Sequence, residues 1–350
     1  MKILIVTDAW HPQTNGVTTT LAQTAACLGK LGYEVQMATP GDFATVPCPT
    51  YPEIRVAAFP YPRMAQRISA FGPNAIHIAT EGPLGWAARR YCLRHGLRFT
   101  TSYHTQFPEY LRSRLPVPLA WSYALLRWFH GAGERCMVST PTMSAQLARW
   151  GFRNLVRWQR GVDTQLFRPR SKEFLQLPRP IAVCVGRVAI EKNVEAFLDM
   201  PWQGSKLVIG DGPERARLQA KYPDAQFTGF LHGEALAAHL AAADVMVFPS
   251  LTDTFGLVNL EAMACGVPVA AFPVTGPIDV VHDGITGALD TDLVRATRRA
   301  LTMDPRRCRE RALKSGWDVC AQEFERNLVP CENGELRWGT PARPLASRVL

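Results

Sequence analysis

Short apolar runs recur along the chain, separated by longer segments in which apolar and polar residues mix. Such runs are typical of strands buried on both faces of a parallel sheet. They predict strands at residues 2–7, 34–38, 53–58, 74–79, 99–103, 136–139 and 155–158, and again at 181–185, 207–209, 226–230, 245–248 and 269–272. Segments with helical character lie between most of these runs. The alternation predicts an α/β fold with two doubly wound, Rossmann-like units.

A stretch without periodicity separates the two sets of alternating elements. The sequence QRGVDTQLFRPRSKEFLQLPRP at residues 159–180 is rich in proline and charge, which is typical of a linker. We therefore predict a domain boundary near residues 165–180. The first domain is expected at residues 1–168 and the second at residues 178–316, with a terminal helix at about 317–335.

Charge is distributed unevenly over the 350 residues. The net charge is +9, and residues 85–160 alone hold twelve arginines, no lysine and only two acids, Glu109 and Glu134. Such a segment favours a surface that meets an anionic partner, either phospholipid headgroups or nucleic acid. A solvated basic face is the plainer alternative.

The cysteines and the N-terminal sequence indicate the cellular compartment of the protein. The nine cysteines are scattered, odd in number and without C-x-x-C spacing. This pattern indicates reduced, cytosolic thiols and argues against a disulfide framework or a structural zinc site. The first apolar run is too short for a signal peptide, and no run approaches the roughly 18 residues needed to span a bilayer. We expect a cytoplasmic protein without a membrane-spanning segment.

The stretch VMVFPSLTDTFGLVNLEAMACGVPVA at residues 245–270 predicts a strand, a loop and a helix. In an open parallel sheet this junction lies at the carboxyl edge, where ligands bind. The free N–H groups and partial positive charge at the start of the helix can hold an anion such as a diphosphate. Asp253 on the loop and Glu261 in the helix can accept hydrogen bonds from hydroxyl groups on either side. Together these groups meet the requirements of a nucleotide sugar.

A second candidate phosphate site follows the strand at residues 181–185. The sequence continues GRVAIEKN, in which Gly186 permits close approach and Arg187 and Lys192 supply two cations. Fixed cations stabilise the charge that grows on a pyrophosphate leaving group. The alternative is ordinary solvated surface charge. If the phosphate role holds, replacing Lys192 by alanine lowers mainly the turnover number.

The motif residues resemble a known family. Asp253, Phe255, Gly256 and Glu261, with the CGVPV run that follows, resemble the E-x7-E signature of the family 4 retaining glycosyltransferases, which have the two-domain GT-B fold. GRVAIEKN is similar to the family's G-R-x(4)-K-N pattern, and RGVD-x3-F-x-P is similar to its interdomain signature. Asp253 departs from the pattern, because its carboxylate is withdrawn by about one methylene relative to glutamate.

The resemblance implies roles for individual residues of the site. It implies that the terminal helix returns to the first domain, that Asp253 holds sugar hydroxyls and that Glu261 holds the ribose. It assigns catalytic roles to His104, Arg187, Lys192 and Asp253. It assigns donor binding to Gly16, Gly186, Arg187, Lys192, Gly229, Phe230, Asp253, Phe255, Gly256, Leu257 and Glu261. No D-x-D motif suited to a divalent ion is seen, so we expect neither metal nor cofactor beyond the nucleotide sugar itself.

The acceptor side is less visible in the sequence. Glu81 and His104 follow strands at the carboxyl edge, and we expect both to contact the acceptor, with His104 exposed to the cleft and titrating near neutrality. His77 alternates with isoleucines and is predicted to pack inside the sheet. The resemblance implies retention of anomeric configuration and favours front-face displacement.

The segment from Phe107 to His130 mixes arginines with aromatic residues, which suits contact with an anionic membrane surface. An ordinary helix packed on its own sheet is the alternative. Predicted contacts are Arg112, Arg114, Trp121, Arg127 and Trp128. The leading hypothesis is transfer of a hexose to a membrane lipid such as diacylglycerol at the inner face of the membrane. A soluble or polysaccharide acceptor, a nucleotide-sugar epimerase, and a non-catalytic binder of anions or nucleic acid remain alternatives. No nucleic-acid partner is expected under the leading hypothesis.

Overall fold

The computed structural model describes residues 1–13, 15–48, 51–112 and 117–332. The strands are β1 (Lys2–Val6), β2 (Glu34–Ala38), β3 (Thr45–Cys48), β4 (Tyr51–Ala57), β5 (Ala75–Ile78), β6 (Thr100–Tyr103), β7 (Arg135–Val138), β8 (Leu155–Arg157), β9 (Ile181–Val185), β10 (Ser205–Ile209), β11 (Gln226–Gly229), β12 (Val245–Phe248), β13 (Val269–Ala271) and β14 (Gly287–Leu289). The α-helices are α1 (Gly16–Lys30), α2 (Tyr61–Phe71), α3 (Pro83–Arg94), α4 (Phe107–Arg112), α5 (Leu119–His130), α6 (Pro141–Arg149), α7 (Val194–Asp199), α8 (Arg215–Lys221), α9 (Gly233–Ala242), α10 (Leu257–Ala264), α11 (Pro277–Val280), α12 (Leu293–Ala300), α13 (Pro305–Leu313) and α14 (Trp317–Asn327).

The first sheet contains six parallel strands in the order β2-β1-β5-β6-β7-β8. Strand β5 and residues 3–6 of β1 are buried, which explains why they are apolar on both faces. His77 lies on β5 and is fully buried between Thr100 and Ser102, so its predicted packing role is confirmed.

One predicted strand of the first half belongs elsewhere. The segment at residues 53–58 was expected to join the parallel sheet, and it lies instead within β4. That strand pairs antiparallel with β3 in a separate two-stranded ribbon. The preceding strand β3 supplies the partner. Ala57 of β4, with Phe43 just before β3, packs in the buried core of the first half.

The second sheet has the order β11-β10-β9-β12-β13-β14, again with every pair parallel. The strand order reverses between β9 and β12, the topological switch point at which open α/β sheets bind ligands. The loops after β9 and β12 carry GRVAIEKN and LTDTFG. The two candidate motifs therefore meet at one place, and the predicted α/β class with two doubly wound sheets is confirmed.

The last helix returns the chain to the first sheet. Phe324 of α14 is buried against Trp158, and the Trp158 indole donates a hydrogen bond to the carbonyl of Cys320 at 3.1 Å. Gly161 lies against the Trp317 ring so closely that a Cβ atom there would come within 2.7 Å of it. The helix is thus part of the core beneath the first sheet.

Candidate active site between the two sheets

Lys192 and Asp253 form an ion pair at the switch point of the second sheet. The Lys192 Nζ atom lies 2.6 Å from Asp253 Oδ2, and the Asp253 side chain is largely buried. Burial alone would raise the pKa of Asp253, but the Lys192 ammonium and the N–H of Phe255 outweigh it and hold the pKa below its ordinary value. Asp253 is therefore an anion at neutral pH, in a fixed position beside a cation.

The neighbouring loop supplies further groups. Gly186 directly follows β9 and has a φ of +147°. Arg187 comes next, is half-buried and lies on the same loop as Lys192. Gly210, at the end of β10, lies so close that a Cβ there would meet the Gly186 carbonyl oxygen at 1.9 Å. Gly210 in turn bridges to Gly229 at the end of β11. The backbones at the ends of three adjacent strands thus pack closely together at this edge of the sheet.

Phe230 directly follows Gly229, the last residue of β11. Its side chain is half exposed and stacks on His232 with ring centroids 6.2 Å apart. An exposed aromatic ring next to a glycine backbone suits contact with a nucleotide base. The family resemblance assigns Gly229 and Phe230 to donor binding, which stays a prediction.

Helix α10 begins at this loop. Gly256 adopts the left-handed conformation (φ +78°), and a Cβ there would lie 2.5 Å from the Asn259 side chain, so the turn requires glycine. Phe255, before it, is buried. Helix α10 starts at Leu257, so the positive end of its dipole lies at this loop.

Glu261 lies one turn into α10. Its carboxylate has no hydrogen-bond or ion-pair partner among the residues that the structure describes. Burial raises the pKa of Glu261 to about 7. The group is therefore poised to accept hydrogen bonds from a ligand, and a hydroxyl that bonds its charged form would favour ionisation.

The first turn of α1 faces the first turn of α10 across the cleft. A Cβ at Gly16 would lie 3.4 Å from Leu257 Cδ1, so these helix starts lie close together. Asn15 caps α1 by accepting hydrogen bonds from the N–H groups of Val17 and Thr18, both at 3.0 Å. Two helix N-termini, one from each sheet, thus converge where an anion would be stabilised.

Hydrogen bonds join the two halves beside this point. The Thr254 hydroxyl donates to the carbonyl of His104 at 2.7 Å, and the Ser139 hydroxyl donates to the carbonyl of Thr254 at 2.8 Å. Thr142 likewise donates to Asp279 at 3.0 Å. Since Thr254 follows Asp253 directly, the donor loop is held against the first sheet in a closed arrangement.

His104 was expected to be exposed and to titrate near neutrality, and that prediction is wrong. Its side chain is 8% exposed. Arg160 donates to Nδ1 at 3.2 Å, so Nε2 carries the proton and donates to Ser102 at 2.8 Å. Burial, together with the Arg160 charge, lowers the pKa of His104 well below its ordinary value. The imidazole is neutral and its backbone carbonyl, not its ring, contacts the donor loop.

Glu81 lies at the carboxyl edge of the first sheet, as predicted, but it has an internal partner. His130 Nε2 donates to Glu81 Oε1 at 2.9 Å. Burial would lower the pKa of His130, but Cys136 and the Glu81 carboxylate outweigh it and raise the pKa to about 10. Glu81 is thus paired with a protonated imidazole.

Sequence reasoning missed His130, Asp8 and Thr254. Asp8 accepts hydrogen bonds from Thr80 at 2.9 Å and from the N–H of Leu84 at 2.9 Å, and burial raises its pKa. The signal for Asp8 was available, because it follows the first apolar run directly. Nothing in the spacing of His130 distinguished it from a residue packed in a helix.

The predicted membrane contacts divide into separate groups. Trp121 and Trp128 lie on one exposed face of α5, with exposed fractions of 75% and 59%. Arg127 lies on a different face, and its guanidinium donates to the Trp150 carbonyl at 2.7 Å. Arg112 is exposed at the end of α4, and Arg114 lies outside the described residues.

Two absences apply to the described part of the chain. It contains no cluster of three or more histidine, cysteine, aspartate or glutamate side chains that could hold a metal ion. No helix within it has the length and apolar character required to cross a bilayer.

Comparison with known proteins agrees with the geometry. A family model described as Glycosyltransferase Family 4 matches residues 14–166, and one described as Glycosyl transferases group 1 matches residues 179–302. A GDP-mannose-dependent alpha-mannosyltransferase of Mycobacterium tuberculosis is 31% identical over 316 residues, which cover 83% of this chain and 83% of that protein. An alpha-monoglucosyldiacylglycerol synthase of Streptococcus pneumoniae is 25% identical, covering 94% of this chain and 84% of the relative.

Solved structures show the same architecture. The sucrose-phosphate synthase from Thermosynechococcus elongatus superposes with a TM-score of 0.73 at 23% identity, covering 93% of this chain and 97% of that one. The GT-B arrangement expected from the motifs is therefore confirmed. With both halves matched by family models and a relative above 30% identity along most of its length, the chain belongs to the family 4 glycosyltransferases.

Proposed function

We propose that the protein transfers a hexose from a nucleotide diphosphate sugar to an acceptor hydroxyl with retention of configuration. The observation that carries the proposal is the Lys192–Asp253 pair beside the facing starts of α1 and α10. A diphosphate beside the two helix starts would be neutralised by Arg187 and Lys192. Asp253 would accept hydrogen bonds from sugar hydroxyls, and Glu261 from the ribose. The mannosyltransferase named above is described as GDP-mannose-dependent, which supports the donor class.

The chemistry follows from these positions. The bond between the anomeric carbon and the phosphate oxygen breaks, and a bond to the acceptor oxygen forms on the same face. The acceptor proton moves to the departing phosphate oxygen, so charge on the diphosphate grows before the proton arrives. Arg187 and Lys192 stabilise that charge from fixed positions. His104 is neutral and adds no charge, which leaves the phosphate charge to these two cations.

Nucleotide sugars provide the direct test. We expect UDP or GDP to raise the unfolding temperature of the full chain, because a ligand that binds only the folded state stabilises it. Incubation with the matching nucleotide sugars and extracted lipids should then yield a glycolipid whose NMR spectrum shows the anomeric configuration of the donor. An isomerised nucleotide sugar would favour the epimerase class, and neither product with any donor would contradict the proposal.

A lipid acceptor is favoured by an exposed face of the first half. Leu93 on α3 and Trp121, Leu125 and Trp128 on α5 are each at least half exposed. A cavity of about 400 Å³ lies between the two helices and is lined by Trp86, Arg89, Arg90, Leu93, Arg94 and Trp128. Tryptophan, leucine and arginine on one face match the chemistry of an anionic bilayer surface. The diacylglycerol named in the Streptococcus relative supports the same acceptor class.

The two acids of residues 85–160 are already engaged. Glu109 bonds Gln146 at 3.3 Å, and Glu134 pairs with Arg98 at 3.1 Å. Neither of these two carboxylates is therefore free to offset the positive charge of the face. We infer that α3 and α5 dock on the cytoplasmic side of the membrane, an assignment that the nine free cysteines support.

Replacing Trp121, Leu125 and Trp128 together by serine is expected to lower co-sedimentation with phosphatidylglycerol vesicles about tenfold or more, because each side chain loses its apolar contact with the interface. The matched control replaces Leu31, Ile285 and Leu313, three exposed apolar residues elsewhere, by serine. Stabilisation by nucleotide should survive in both variants. Equal vesicle binding by the two variants would contradict the docking assignment.

A further inference from the structure

Two segments of the chain cross between the halves side by side. The chain leaves the first sheet after β8 and comes back to it in α14. Where the two segments meet, the N–H of Val162 donates to the carbonyl of Ser315 at 2.8 Å, and Val162 forms a parallel bridge with Gly316. The paired residues 161–163 and 315–317 form the interdomain crossing. Side chains next to the crossing can therefore come from both halves.

Arg311 lies at the crossing on the side of the second half. Its side chain is half-buried, and its Nη1 donates to Ser315 Oγ at 2.8 Å. Ser315 is buried, so the hydroxyl that positions the guanidinium is itself part of the packed interior. This bond uses one of the five N–H groups of the guanidinium. The other four have no hydrogen-bond partner among the residues that the structure describes, so the cation is positioned but not neutralised.

Arg157 brings a second cation from the first half. It is the last residue of β8, and its carbonyl accepts a hydrogen bond from the Asn327 side chain of α14 at 2.6 Å. Its own side chain is exposed. Burial lowers the pKa of Arg311, and the Arg157 charge lowers it further. Because the effect of one charge on another falls with distance, the two guanidinium groups lie near each other, one from each half.

Two more basic side chains lie in the same region. Lys314 is exposed at the end of α13, and His282 is exposed on the loop after α11. Burial lowers the pKa of His282, and the charges of Arg311 and Lys314 lower it further. Three cations and one imidazole thus share this part of the surface.

Carboxylates do not offset these charges. Within the described ranges, none of Arg157, Arg311 and Lys314 forms an ion pair with an acid. The acids beside the cluster in sequence are paired elsewhere: Asp283 with Arg299 at 3.0 Å, and Glu310 with Arg307 at 3.4 Å. Like charges gathered without a counter-charge repel one another, so an anion bound among them would be stabilising. Guanidinium groups with unused N–H donors suit the oxygens of a phosphate.

We propose that the interdomain crossing binds an inorganic phosphate ion between Arg157 of the first half and Arg311 of the second, with Lys314 beside them. The site shares no residue with the donor site, and it does not depend on the proposed transferase function. Because its ligands come from both halves, the bound anion links them and stabilises the closed arrangement of the two sheets.

Calorimetry with inorganic phosphate tests the site on the full chain. The ionic strength is held constant with sodium chloride, so that general screening of surface charge is the same throughout the titration. We expect Arg157→Ala and Arg311→Ala each to weaken phosphate binding about tenfold or more, as expected for loss of a charge-assisted hydrogen bond, and Arg311→Lys to retain part of it. Arg153→Ala and Arg298→Ala, which replace exposed arginines of the first and the second half, are the matched controls.

Unfolding temperatures distinguish a lost anion site from a damaged fold. In chloride alone, Arg157→Ala should be at least as stable as the wild type, because its side chain has no hydrogen bond or ion pair with the described residues and its removal relieves repulsion. Phosphate should raise the unfolding temperature of the wild type and of both controls, but not that of Arg157→Ala. If chloride of equal ionic strength stabilises the wild type as much as phosphate does, or if Arg157→Ala keeps the full phosphate effect, the proposal is overturned.

The Lys192→Ala variant separates this site from the donor site, where a phosphate group can also bind. Phosphate binding that survives in Lys192→Ala and is lost in Arg157→Ala supports the crossing site, whether or not nucleotide binds. Binding that is lost in Lys192→Ala and unchanged in Arg157→Ala places the anion at the donor site, which overturns the proposal and leaves the transferase function standing. Loss in both variants contradicts a site independent of the donor loop. If phosphate binds through Arg157 and no nucleotide binds, only the donor site fails.

Discussion

Replacing Lys192 by alanine is expected to lower the turnover number about a hundredfold or more, the effect of removing one preorganised group that stabilises transition-state charge. The ammonium is held 2.6 Å from Asp253 and needs no reorganisation when the phosphate bond breaks. Nucleotide affinity should fall much less, because the helix starts and Arg187 also hold the phosphates. Initial rates and calorimetric nucleotide affinity, measured on the same preparation, check this split.

Lys221→Ala is the matched control for Lys192→Ala. Lys221 lies in the same half of the molecule and pairs with Glu195 on an exposed surface, so its loss should leave turnover unchanged. Unfolding temperatures with and without nucleotide show whether the Lys192 variant is folded. A folded Lys192→Ala protein with wild-type turnover would remove Lys192 from the mechanism.

The second large effect is expected at Glu261 and concerns pH. Burial raises its pKa in the folded state to about 7, whereas the unfolded chain has the ordinary value near 4.5. Below about pH 4.5 the carboxyl is protonated in both states and contributes nothing. Between the two pKa values the folded state binds more protons, so the free energy of unfolding falls as pH rises. Above about pH 7 the full penalty, roughly 3 kcal/mol, is present.

Glu261→Gln isolates this penalty because glutamine does not titrate. The variant should gain up to roughly 3 kcal/mol over wild type between about pH 5 and pH 8 when ligand-free protein is unfolded by denaturant. Nucleotide should reduce the difference, since a ribose hydroxyl that bonds the ionised form lowers the pKa of Glu261. A difference between variant and wild type that stays constant with pH would show that Glu261 is not buried in an uncompensated state.

Much of the secondary structure followed from the sequence alone. Strands β2, β9 and β12 have the predicted limits, and most others differ by a residue or two at their ends. Apolar runs identify buried parallel strands because both faces must be covered. Helices α2, α4, α7, α11 and α13 and strands β3 and β14 were not predicted, because their apolar residues do not form runs.

The candidate site was predictable on the donor side and less so on the acceptor side. Motif spacing identified Lys192, Asp253 and Glu261, because each lies on a loop or helix start whose position in a parallel sheet is known. The environment of a single side chain was not predictable. His104 is buried beside Arg160, and Arg127 is bonded to Trp150, because of residues far away in the chain.

The sequence by itself determined the alternation of strands and helices, the two-domain family and the donor motifs, since these depend on periodicity and on local turn chemistry. Only the tertiary structure decided that β4 leaves the main sheet, that Gly16 meets Leu257 and that Arg157 and Arg311 lie near each other at the interdomain crossing. These contacts join segments from separate elements. Such contacts depend on packing and on strand order, and a local pattern of residues does not determine either.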